Sequence, residues 1–322
     1  MHRRDFLRTV GGSAAVLCSA GSARAARLTR ANLCLITDEV SRNLRPALQF
    51  AAEYGVWQVE LRNVDGKYCF THEPAKLKEI RGVLKEYGIS VAVLSTPVLK
   101  CVLPDSNVTA AARKEVELAF KDFPVPTAEQ FPRQMELLHK AIEAARILET
   151  DKLRIFSYWR VEDREKERSR ILEGLSRAAE VAEKEKIFLC IENEDSCNLA
   201  DCAETSAVLR QLSSPNLGMN WDPVNGYSTG ENAYPEGFSQ LDKRRIWHMH
   251  VKDWRPHPET GRPQVCAVGD GRVPWLDIFN AMGKAGYKGA LSMETHFTMN
   301  GSKEAASRRS MEGILKVIER LS

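Results

Sequence analysis

The sequence predicts an α/β protein folded as a single (β/α)8 barrel. Three observations carry this expectation. Short apolar runs of strand character alternate with amphipathic helical segments along the 322 residues, the pattern of parallel strands joined by helical crossovers. Glycines such as Gly55 and Gly88 close helical segments just before the next run. The last four runs end in residues able to ligate a metal or move a proton: KIFLCIE at Glu192, NLGMNWD at Asp222, RIWHMHV around His250 and GALSME at Glu294. The C-terminal strand ends of a barrel converge on one face, so these four residues are expected to meet.

The first strand is expected over 31–38, with a helix over 44–54 and Gly55 as its stop. Residues 56–62 alternate like a strand, 73–87 form an amphipathic helix ended by Gly88, and 89–95 give the third strand. A long connection over 96–126 follows, with Pro97, Pro104, Pro124 and Pro126 and a helical piece around 110–120. Loops of this length serve as lids or subunit contacts, or are plain surface insertions. This one is the candidate contact for a homo-oligomer. A helix is expected over 127–148 and a strand over 152–157. A charged helix follows over 163–185, with an apolar stripe through Ile171, Leu175, Ala178, Ala179 and Ala182. Helices over 201–212, 274–285 and 302–321 alternate with the last strands, and 227–242 reads as irregular.

The N-terminus stands apart. Arg3-Arg4, a small and apolar stretch over 10–20 and the Ala23-Arg24-Ala25 site read as a twin-arginine export signal. This divides the chain into a signal over 1–25 and a barrel over 26–322, and predicts export to the periplasm. Cleavage there removes four arginines and one aspartate from the 46 basic and 43 acidic residues, leaving no net charge. Bulk charge then favours neither nucleic acid nor an anionic membrane. No later stretch reaches the roughly 18 apolar residues of a membrane span. Seven of the eight cysteines follow residue 25, without a CxxC. Mostly free thiols are expected, with one disulfide among Cys69, Cys101, Cys197, Cys202 and Cys266 left open.

Three carboxylates and an imidazole at one point repel unless a divalent cation lies among them. The oxygen-rich set suits Mn²⁺ first, with Mg²⁺, Co²⁺ and Zn²⁺ as alternatives; a structural zinc site would be rich in Cys or His. Taken singly, Glu192 also reads as a salt-bridged strand end, Asp222 as a helix cap before Pro223, and Glu294 as a cap before the last helix. Of the HMH pair, His250 lies nearer the C-terminal end and is the expected ligand; His248 lies a layer deeper. Glu60 is a candidate for sugar hydroxyls, or for pairing with Arg62 or another arginine. Trp159 is a candidate stacking face, or ordinary packing. Lys252 with Asp253, Arg255 and His296 complete the substrate-side candidates. Gly269-Asp270-Gly271 reads as a tight turn rather than a phosphate cradle.

The order of IEN (191–193), WDPVN (221–225), HMHVKD (248–253), VGDGRVPW (268–275) and LSMET (291–295) resembles the xylose-isomerase-like TIM barrels of the sugar phosphate isomerase/epimerase family. The likeness runs over essentially the whole chain after residue 25. It implies one divalent metal on Glu192, Asp222, His250 and Glu294, with Glu192 and Glu294 as the acid/base pair. The implied reaction is proton transfer through an enediolate of a small keto- or aldo-sugar, hence an isomerase or epimerase. A lyase or dehydratase acting on an oxidised sugar or cyclitol starts with the same proton abstraction and stays open. So does a sugar-binding barrel without catalysis. Asn225 stands where some relatives carry histidine, which argues against a second metal and against the related abasic-site endonucleases.

Overall fold

The computed structural model describes residues 27–119, 127–261 and 263–321. The expected export signal and residues 120–126 of the long connection lie outside the described residues. Eight parallel strands form one sheet: β1 Leu33–Leu35, β2 Gln58–Leu61, β3 Ser90–Ser95, β4 Lys152–Ile155, β5 Phe188–Glu192, β6 Leu217–Trp221, β7 Ile246–Val251 and β8 Ala290–Met293. They pair in the order β1-β8-β7-β6-β5-β4-β3-β2. A bridge between Ile36 and Glu60 joins β1 to β2, so the barrel is nearly closed.

The strands alternate between two environments. Leu153, Ile155, Leu189, Ile191, Met249, Val251, Leu291 and Met293 belong to the apolar core under the helices. The intervening Arg154, Cys190, Glu192, His248, His250 and Ser292 are equally buried but lie outside that core, turned toward the barrel axis. A period of two on strands buried on both faces produces this division.

The helices start where the sequence supplies caps. Asp163, Asp201 and Ser302 accept from the backbone N–H of Lys166, Glu204 and Ala305, three residues on in each case. Gly55 and Gly88 take φ of 68° and 65°, the left-handed conformation that ends a helix without a Cβ penalty. The helix expected over 127–148 is broken into Thr127–Gln130 and Gln134–Ile147. Pro132 lies in the break, and the residue before a proline is pushed out of helical geometry.

A short helix, Pro223–Ser228, capped by Asp222, runs into the first two residues of the region expected to be irregular, 227–242. Two ribbons were not expected: Asn63–Val64 with Lys67–Tyr68, and Asp253–Pro256 with Pro263–Cys266. The first turns through Asp65-Gly66, both at positive φ, a hairpin signal present in the sequence. The long connection after β3 is stitched to the rim after β4: Thr109 N–H donates to Arg160 O at 2.9 Å and Trp159 N–H to Cys101 O at 3.0 Å. All seven cysteines among the described residues are buried and free. No helix among the described residues is long and apolar enough to cross a membrane.

Candidate metal centre

Four strand ends deliver the predicted cluster. Glu192 is the last residue of β5, Asp222 follows β6, His250 is the penultimate residue of β7, and Glu294 follows β8. Each offers a ligand atom, and these atoms lie within 4.8 Å of one another in a buried setting. His250 Nδ1 is 2.9 Å from Glu192 Oε1, 3.2 Å from Glu294 Oε2 and 3.8 Å from Asp222 Oδ2. Asp222 divides its oxygens. Oδ1 accepts from the N–H groups of Val224 and Asn225 at 2.9 and 3.1 Å. Oδ2 has no hydrogen-bond partner; Lys252 Nζ approaches it at 2.7 Å as an ion pair only. One oxygen therefore caps the helix while the other stays turned to the cluster.

Glu60 supports the cluster from below. Its carboxylate accepts from His248 Nε2 at 2.7 Å, His250 Nε2 at 3.2 Å and Ser292 Oγ at 2.7 Å, and from Ser95 Oγ. With Nε2 of His250 donating to this carboxylate, Nδ1 is the nitrogen turned to the three acidic residues. This is the outer-carboxylate arrangement that orients a metal-binding histidine. Burial pulls the His250 imidazole down, but Glu294, Glu192 and Glu60 outweigh it and hold it well above its ordinary value. A cation on Nδ1 must therefore displace a proton. Three carboxylate groups, one imidazole nitrogen and a buried Asp222 oxygen without a hydrogen bond fit a divalent cation.

Cations enclose the acids. Arg154 Nη1 meets Glu192 Oε2 at 2.8 Å, and Lys252 Nζ meets Glu294 Oε2 at 2.9 Å. His296 Nε2 lies 3.1 Å from Glu294 Oε1, and Arg62 Nη1 lies 3.5 Å from the same oxygen. Arg62 also pairs with Asp38 at 3.0 Å and with Glu39. Burial works against the Glu294 carboxylate, yet His296, Lys252 and His250 hold it well below the usual range. Burial likewise works against the Lys252 ammonium, and Asp222 and Glu294 raise it well above its ordinary value.

The structure thus brings Lys252 and His296 to the cluster, corrects two other expectations and leaves Arg255 outside the cluster. Glu60 is fully buried beneath the histidines, so it neither reaches a sugar nor pairs with Arg62. Trp159 is 2% exposed, packed with Val108, Ala112, Phe156 and Cys197, and Lys100 Nζ lies 4.9 Å from its ring centre. Its indole face is filled by packing. Arg255 is exposed on the Asp253–Pro256 ribbon and takes no part in the cluster's ion pairs.

Asp253 does not join Lys252. Its carboxylate accepts from the N–H groups of Trp254, Gly269 and Val273 at 2.9, 3.0 and 3.0 Å. A Cβ on Gly271 would meet Asp253 Oδ1 at 2.1 Å. The turn read from Gly269-Asp270-Gly271 therefore wraps the chain's own carboxylate.

Sequence reasoning missed Asp38, Glu39, Arg154 and Lys100. Asp38 and Glu39 follow β1 at the same end as the cluster, which was the available signal. Arg154 sits inside a strand, where an unpaired arginine is costly and implies a buried acid.

Comparison with solved structures gives the same fold at low identity. The probable 3-DHS dehydratase AsbF from Bacillus anthracis superposes with a TM-score of 0.66 at 16% identity, covering 88% of this chain and 98% of that one. IOLI protein, solved with a binding zinc atom, gives 0.65 at 17% identity over 90% and 99% of the two chains. The 3-keto-D-glucoside 4-epimerase YcjR from E. coli gives 0.64 at 12% identity, again over 90% and 99%. The family model described as xylose isomerase-like TIM barrel matches residues 48–317, so the chain belongs to that family.

Proposed function

We propose that this chain is a divalent-metal-dependent sugar isomerase or epimerase that moves a proton through an enediolate. The observation that carries the reading is the placement of the two glutamates. Glu192 and Glu294 come from β5 and β8, which β6 and β7 separate in the sheet. Each turns an oxygen to His250 Nδ1, and each is held by cations, Arg154 for Glu192 and Lys252 with His296 for Glu294. A divalent ion on Glu192, Asp222, His250 and Glu294 would stabilise the oxyanion that forms when a proton leaves the carbon beside a carbonyl.

One glutamate removes that proton and the other returns it. Return to the same carbon gives an epimer; return to its neighbour gives the isomer. Manganese is our choice of ion, on the oxygen-rich donor set.

Dehydration is a second reading, favoured by the likeness to a probable 3-DHS dehydratase. It shares the first proton abstraction and differs in what the enediolate then expels. We further propose that residues 1–25 direct twin-arginine export and that 26–322 act outside the cytoplasm. Finding the unprocessed chain in the soluble cytoplasmic fraction would count against that.

Solvent-deuterium incorporation into a panel of keto- and aldo-sugars tests the chemistry. Glu192→Gln and Glu294→Gln should each lower exchange by about 10²–10⁴-fold while the metal stays bound. Exchange at the wild-type rate in either variant removes that glutamate from the acid/base pair. Sugar binding without exchange in the wild type would leave a non-catalytic binding barrel.

A further inference from the structure

The rim formed after β3, β4 and β5 carries an ion pair that the proton transfer does not use. Lys100, in the connection after β3, places Nζ 2.9 Å from Glu194 Oε1. The same oxygen accepts from Ser196 Oγ at 3.0 Å, and Glu194 Oε2 accepts from Asn225 Nδ2 at 3.3 Å. Lys100 Nζ lies 4.2 Å from the centre of the Phe156 ring and 4.9 Å from that of Trp159. The pair is tied to the metal cluster through backbone. Asn225 Nδ2 donates to Asn193 O at 2.9 Å, and Asn193 Nδ2 donates to Asp222 O at 2.7 Å. The Lys100 and Glu194 side chains are 17% and 19% exposed. That is closed enough to strengthen a polar contact and open enough for a ligand to touch.

The cations around the site argue for what is read there. Arg62, Arg154, Lys252 and Lys100 are each committed to a carboxylate. A phosphate or carboxylate on the substrate would compete with those acids for the same cations. A hydroxyl both donates and accepts. It is matched by an ammonium and an amide beside a carboxylate, with an aromatic floor under the ammonium.

We propose that Lys100 and Glu194, with Asn225, form a specificity element that reads hydroxyl groups on an uncharged part of the substrate. This rests on the sugar-directed reading above. It makes Lys100 a substrate-binding residue on the rim, distinct from the acid/base pair.

The test uses metal-loaded protein and two probes: deuterium exchange with the sugar panel, and calorimetric binding of xylitol. Lys100→Met should raise KM and weaken xylitol by about tenfold, with kcat within about threefold and full metal content. Lys100→Met combined with Glu194→Gln removes both charges, so no buried carboxylate is left alone. It should bind as weakly as Lys100→Met while melting like the wild type. Lys100→Arg, which keeps the charge, should recover part of the binding.

Wild-type KM and xylitol affinity in both Lys100→Met variants would overturn the proposal. So would a sugar phosphate that displaces xylitol about tenfold better than the free sugar. If no sugar exchanges deuterium in the wild type, the isomerase reading falls, and xylitol binding alone decides. Binding lost in the variants upholds the specificity element; no binding in the wild type ends it.

Discussion

The two ends of the barrel differ in what they leave unsatisfied. The N-terminal end holds a hollow of about 1060 Å³ lined by Lys152, Phe188, Trp247 and Tyr287 among others. Three of its polar side chains are answered locally, while the buried Nδ1 of His248, which also lines it, has no hydrogen-bond partner. Trp247 Nε1–H donates to Arg244 O, Tyr287 O–H donates to Ala290 O, and Lys152 pairs with Asp151. The C-terminal end has three buried carboxylates around one imidazole and an Asp222 oxygen without a hydrogen bond. Space alone is a poor guide to chemistry. Buried charge gathered at one point marks the working end, because it costs stability unless partners or a ligand complete it. One residue belongs to both ends: His248 lines the hollow and donates to Glu60.

The largest effect should come from emptying the C-terminal end. Asp222→Ala with His250→Ala removes two of four ligands, so the purified variant should lose bound divalent ion. Turnover should fall by at least about 10²-fold, the scale of lost transition-state charge stabilisation. Elemental analysis beside the exchange assay checks both. Full metal content in the variant would place the ion elsewhere and dissolve the contrast between the two ends.

Acid should also strike this end. Burial works against the Glu39 carboxyl, but Arg62 and His296 lower it to about 2. Glu194 is likewise lowered to about 2, with Lys100 and Lys252 overcoming burial. Groups lowered on folding stabilise the protein above their unfolded value and lose that contribution as pH falls toward the folded one. For Glu39 this is on the order of 3 kcal/mol. His250 is raised on folding, so it acts oppositely: its contribution is complete in acid and fades as pH rises through its folded value. The denaturation midpoint of metal-free protein should therefore drop between about pH 5 and about pH 2. A flat midpoint over that range would mean the acidic end is not held by these pairs.

Glu60→Gln probes the layer between the two ends. An amide offers one acceptor where the carboxylate offered two, so the four donors now on Glu60 cannot all be satisfied. His250 then loses the partner that fixes its orientation. Metal affinity should fall about 10–100-fold while the ligands stay in place. Competition with a chelator measures it, and an unchanged affinity would reduce Glu60 to packing.

The eightfold rhythm and the meeting of four strand-end side chains were legible because both are local signals. A strand announces itself by composition, and its last residue falls at the barrel mouth by topology alone. What stayed hidden depends on depth and partners. Glu60 and His250 both sit near strand ends, yet His250 turns Nδ1 to the acidic cluster and Glu60 lies beneath it against both histidines. Trp159 read as a sugar platform or as ordinary packing, and its burial with Val108, Ala112, Phe156 and Cys197 decides for packing. Asp38 closed the first expected strand, but the observed strand ends at Leu35 and both acids lie in a short helix, Thr37–Val40, where only the fold shows their pairing with Arg62. The Pro256 and Pro263 positions concealed a ribbon, because prolines are tolerated at its ends where a central strand would exclude them.

The smallest effect on function is expected at the N-terminal end, and it tests the comparison from the other side. Trp247 packs edge-on against Phe188 with ring centres 5.1 Å apart. Its ring also lies so close to Gly218 that a Cβ there would meet it at 2.5 Å. Trp247→Ala should cost about 2 kcal/mol, through a lost aromatic pair and a partly filled gap. Nothing in that loss reaches the metal ligands directly, so metal affinity and turnover should stay within about twofold once temperature is kept well below melting. The route by which this expectation fails is specific. His248 follows Trp247 in the chain and donates to Glu60, which in turn holds His250 Nε2. If Trp247→Ala weakens metal binding while Phe188→Ala, at similar cost in stability, does not, the signal has passed along β7 through His248. The two ends would then be one coupled unit, with the hollow set against the back of a metal ligand.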